Sequence, residues 1–111
     1  MTGHKELHMG MKTLVASDDI TAVKPNGDRI TIEVRVGMPY QRDVDEWGCP
    51  VSLSPLFNNI HDAVGSSSFQ SICLALALIL KLLTHLREDG GTLGHDDGTP
   101  YPLEAHFFAP N

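Results

Sequence analysis

The sequence predicts an α+β domain, an antiparallel meander of about four strands packed against one long helix in the C-terminal half and followed by an extended tail. Three observations carry that prediction. Residues 29–36 alternate between polar and apolar, residues 47–54 alternate again around a proline, and residues 66–88 are apolar at helical spacing with stop signals at both ends. A chain of 111 residues is one ordinary domain, large enough for a core without metal or disulfide staples.

In chain order, residues 1–12 are polar and punctuated by methionines at 1, 9 and 11, and they predict a flexible arm ahead of a single domain over 13–111. His4 and His8 stand four apart within it, too short a pattern to specify a metal. Residues 13–36 predict a β-hairpin. Ile30, Ile32, Val34 and Val36 share one face, and Arg29, Thr31, Glu33 and Arg35 the other. A two-residue loop at Asn26-Gly27 would turn Ile20 onto the polar face. A three-residue loop, Pro25-Asn26-Gly27 with Gly27 left-handed, sets Ala22 opposite Ile30 and Ile20 opposite Ile32, and is preferred.

Residues 37–46 predict a polar loop. Trp47, Cys49, Val51 and Leu53 then point inward along a strand in which Pro50, having no N–H, implies an edge or a bulge. Asn58-Asn59 predicts a turn, and residues 60–64 a short last strand ending at Gly65. The helix follows, capped by the Ser66-Ser67-Ser68 run and ended by Gly90-Gly91. Phe69, Ile72, Cys73, Leu76, Ile79, Leu80 and Leu83 form its predicted core face. Leu74, Leu78 and Leu82 form a second stripe pointing away, to be covered by the tail (Leu93, Tyr101, Leu103, Phe107, Phe108) or by a second copy. Beyond residue 90 the prolines at 100 and 102 leave room for at most a short strand or extended arm.

Composition excludes several classes. A net charge of −6 with scattered Lys and Arg argues against nucleic acid or an anionic membrane as partner. The longest unbroken apolar run, residues 72–80, falls well short of a membrane span, and the N-terminus shows no signal peptide. Cys49 and Cys73 both sit in apolar patterns, as buried thiols of a reducing cytoplasm would.

No catalytic or cofactor-binding residue stands out. His95, Asp96 and Asp97, with Glu104 and His106 nearby, form a mixed His/carboxylate set that could take a divalent metal. Their spacing matches no zinc or calcium pattern, and a solvated turn explains them as well. His61 and Asp62 are strand neighbours on opposite faces. His85 suits the helix C-terminus. No nucleophile elbow or phosphate-binding glycine loop occurs.

Trp47-Gly48-Cys49-Pro50 together with Gly65-Ser66-Ser67-Ser68-Phe69-Gln70-Ser71-Ile72 resembles a group of small uncharacterised bacterial proteins, a domain of unknown function. In them a W-x-C-P strand precedes a G-x-D-S-L-Q-A-L-like helix start. The resemblance spans residues 20–86, with Trp47, Cys49, Pro50, Gly65, Ser68 and Gln70 fitting as they stand and Ser67 replacing the pattern's Asp. It implies an α+β fold and no assigned activity. The functional expectation comes from the second apolar stripe: a cytoplasmic, non-enzymatic protein-binding or accessory module, with a protein partner or a homo-oligomer meeting Leu74, Leu78 and Leu82. The alternatives are a small metal-dependent or hydrolytic enzyme using His95–His106, and a small-ligand carrier with a pocket between helix and sheet.

Overall fold

A computed structural model describes residues 13–57 and 59–107. The predicted arm, with His4 and His8, and the tail residue Phe108 lie outside the described residues. The fold is α+β, with an antiparallel four-stranded sheet packed on one long helix.

Strands β1 (Leu14–Val23) and β2 (Arg29–Gly37) form the expected hairpin. Ile20 lies opposite Ile32 and Ala22 opposite Ile30. Gly27 is left-handed at φ +95°, and the Lys24 amide donates to the Asp28 carbonyl at 2.8 Å. The three-residue turn puts every apolar side chain of β2 on the core face.

The next segment departs from expectation. Residues 40–43 form a strand, β3 (Tyr40–Asp43), not a loop, and pair with β4 (Glu46–Cys49) across a turn where Asp45 is left-handed at φ 57°. β3 shows no alternation because all four of its residues are exposed. The strand predicted over 47–54 breaks at Pro50, and β5 (Val51–Ser54) leaves β4 to pair with β2. Pro50 lends its carbonyl to the Gly37 amide at 2.9 Å, so the chain bends here from one sheet into another. β6 (Ala63–Gly65) is shorter than predicted and pairs with β4. The result is two sheets, β5-β2-β1-β7 and β3-β4-β6, with β7 (Thr92–Gly94) supplied by the tail. Tyr40 lies over Gly48, where a Cβ would meet its ring at 2.9 Å, and its hydroxyl donates to Asp62.

Helix α1 (Ser68–Glu88) begins at Ser67, whose hydroxyl accepts the Gln70 amide at 3.0 Å. Gln70 answers by accepting from the Ser66 amide, a reciprocal cap. Gly90, at φ +101°, ends it. The core face overlaps the predicted one only in part: Ile79 and Leu83 are buried as expected, and Ile72 and Leu80 are half-buried against the core. Ser71, Ala75, Ile79, Leu83 and Leu86 are buried, whereas Phe69 is 76% exposed, Leu76 is 37% exposed and Cys73 lies on the surface. The helix is turned by roughly a quarter-turn from the expected face. Small residues explain it, because Ser71 and Ala75 let the helix approach the smaller sheet. A Cβ on Gly65 would lie 2.8 Å from the Ser71 amide nitrogen.

By length and composition alone α1 could cross a membrane, since its best 18-residue window has a mean hydropathy of 1.8. Here its buried face closes a core with Ile20, Ile32, Leu53, Val51 and Cys49. The tail adds Leu93 and Leu103 to that core, with Tyr101 and Phe107 packed against it. A short helix, α2 (Leu103–Phe107), appears where only an extended arm is expected. Pro102 precedes it, a residue suited to a helix start, and the Arg87 guanidinium grips Glu104 through two hydrogen bonds, one of 2.9 Å.

Candidate functional site

β1 is longer than the strand that flanks it. It pairs with β2 along its length, but β7 covers only Thr21, Ala22 and Val23. The Lys24–Asp28 bond fixes the phase of the ladder. By alternation Ala22, Ile20, Asp18 and Ala16 bond to β2, while Ser17 and Asp19 turn their backbone groups to the other side, where the Asp19 amide donates to the Asp18 carboxylate at 2.9 Å. Val15 sits in a bulge between Leu14 and Ala16. Among the described residues no strand pairs with this edge ahead of Thr21.

Beside that open edge lies an apolar groove of about 330 Å³. Val34 and Val36 of β2 and Ile20 of β1 floor it, Leu76 and Ile79 of α1 wall one side, and Leu103 and Phe107 of α2 the other. The inward face of β1 turns polar at its rim. Tyr101 donates its hydroxyl to Asp18 at 2.7 Å, and burial first, that bond second, raise the phenol above its ordinary value. The Tyr101 ring is flanked by His95 and His106, at centroid distances of 5.4 and 4.8 Å. His106 Nδ1 lies 3.0 Å from the Pro102 carbonyl oxygen. Asp19 points to the opposite face and pairs with Arg35 at 3.3 Å, and Arg35 also meets Glu33 at 3.5 Å.

The residues singled out in the sequence are dispersed. Asp97 is spent in its own turn, accepting from the Thr99 amide at 3.0 Å and hydroxyl at 2.7 Å, and these bonds lower its pKa. His95 and His106 flank Tyr101 rather than meeting Asp96 and Asp97 as a ligand set. Among the described residues no three His, Cys, Asp or Glu side chains gather as a metal group. Leu78 and Leu82 are half-buried against the core, and Leu74 is 42% exposed. Asp62 holds the Tyr40 hydroxyl, which raises that phenol's pKa, while His61 is exposed. Cys49 is buried as expected, its Sγ 3.5 Å from the Gly37 carbonyl oxygen, and burial pushes its thiol up.

Sequence reasoning placed Tyr101 only as a cover for the helix and missed Asp18, the partner of its hydroxyl. One signal was available: Asp18 falls in phase with Ile20 and Ala22, an acid on an otherwise apolar face. Compared with known proteins, the chain matches no protein-family model, no curated protein and no solved structure.

Proposed function

We propose that this protein is a non-catalytic binding module that receives an extended segment of a partner protein along the edge of β1. A single observation carries the reading: the backbone groups of Ser17 and the Asp19 carbonyl face away from β2 beside an apolar groove, with no described strand on them. An added strand gains main-chain hydrogen bonds, and its alternate side chains enter the groove between β1 and α1. Exposed Leu14 and Val15, 43% and 47% accessible, extend the apolar surface at the same end of the strand. Two free cysteines, Cys49 and Cys73, suit a reducing cytoplasm as its setting.

The test is a single proline. Ser17→Pro removes an amide that points to the open side, so the hairpin bonds to β2 are kept. Heptapeptides selected from a random phage-displayed library on the parent protein should lose binding to this variant, provided its circular dichroism is unchanged. Undiminished binding would place the peptides elsewhere and refute the reading.

A second reading rests on the groove volume, which falls within the range of small-molecule pockets. An apolar ligand would then lie on Val34, Ile79 and Leu83 with a polar end at Asp18 and Tyr101. Native mass spectrometry of protein purified without additives would show it as added mass.

A further inference from the structure

We infer that the segment accepted by β1 is basic, with an apolar side chain two positions from a lysine or arginine. This rests on the strand-addition reading and names the partner's chemistry. Residues directly opposite in a ladder share a face, so partner residues opposite Ala16 and Asp18 both point inward. The first meets the groove, lined by Val36 and Leu76, and the second meets the Asp18 carboxylate at its rim. The partner residue opposite Asp19 points outward, where Asp19 and Glu33 share one guanidinium, that of Arg35. Three carboxylates against one cation leave this stretch acidic, within a chain of net charge −6. Such a field draws cations and repels anions.

The same charges argue against a second copy as occupant. Two-fold antiparallel pairing centred on Ser17 would set Asp18 against Ala16 of the other chain and crowd four carboxylates around the axis. An inward-pointing charge and a bulge are devices that guard strand edges against self-association. Asp18 and the Val15 bulge provide both.

Two blocked heptapeptides, one alternating lysine with valine and the other glutamate with valine, should be titrated into isotope-labelled protein while amide shifts are followed. The expected result is that the lysine peptide shifts Ser17 and Asp19 and binds at least about tenfold more tightly than the glutamate peptide, with the advantage shrinking as salt is raised to about 0.5 M. Replacing Asp18 and Asp19 together with Asn should remove most of the preference. Equal binding of both peptides at β1 would overturn the charge inference and leave strand addition standing. Binding of neither, or shifts confined to other residues, would overturn strand addition itself.

Discussion

The Tyr101 hydroxyl donates a 2.7 Å hydrogen bond to the Asp18 carboxylate, joining residues 83 positions apart. That bond ties the tail to β1 just where β7 stops covering it, and it sets the rim of the groove. Tyr101→Phe keeps the ring between His95 and His106 and deletes only the hydroxyl. A loss of about 1 kcal/mol or less in chemical denaturation is expected for a bond from a half-buried tyrosine to an exposed carboxylate. An unchanged midpoint would show that the bond is not formed in solution.

Alkaline pH reports on the same group. The folded phenol has a raised pKa, so its contribution is complete below the ordinary tyrosine value of about 10 and is lost as pH rises through that value toward the folded one. Tyr40, raised by its bond to Asp62, acts in the same direction. Stability should therefore fall above about pH 10. The fall should be shallower in Tyr101→Phe and shallower still when Tyr40→Phe is added. Parallel curves for all three proteins would contradict both assignments.

Acid acts on the helix pair. The Arg87 guanidinium holds the Glu104 carboxyl well below its ordinary 4.5, at about 2. A depressed folded value gives stability that is present above the ordinary pKa and lost as pH falls from 4.5 toward 2. Glu104→Gln should flatten that part of the acid limb and lower neutral stability by the same small amount, the two proteins converging near pH 2, since an exposed pair contributes little. Thermal melts at stepped pH would show it.

Gly65→Ala tests how closely α1 sits on the smaller sheet. The new methyl group would lie 2.8 Å from the Ser71 amide nitrogen and 3.1 Å from the Gln70 carbonyl carbon, and backbone cannot step aside as a side chain can. A loss of about 2 kcal/mol is expected from such overpacking. A variant as stable as the parent would mean that the helix stands farther off.

What the sequence disclosed depended on contrast. The hairpin register was legible because strict alternation in β2 and one glycine in the turn left a single phase that buries Ile20 with Ile32. The ends of α1 were legible because serines and glycines flank it. Its facing was not, since a helix apolar nearly all round offers no preferred direction, and the residues that decide it, Ser71 and Ala75, are small and weigh little in an apolar count. Leu78, a candidate for an interface by its place in the second stripe, is half-buried against the core, so Leu78→Glu should lower stability. The open edge of β1 was invisible for another reason. It arises because β7, more than sixty residues away, covers three positions and no more.

Amide hydrogen exchange along β1 tests the open edge most directly. The Ser17 amide should exchange at least about tenfold faster than those of Asp18 and Ile20, which donate to β2. Uniform slow exchange from Ala16 to Ile20 would mean that the edge is already occupied in the isolated protein, and strand addition by a partner would then be wrong.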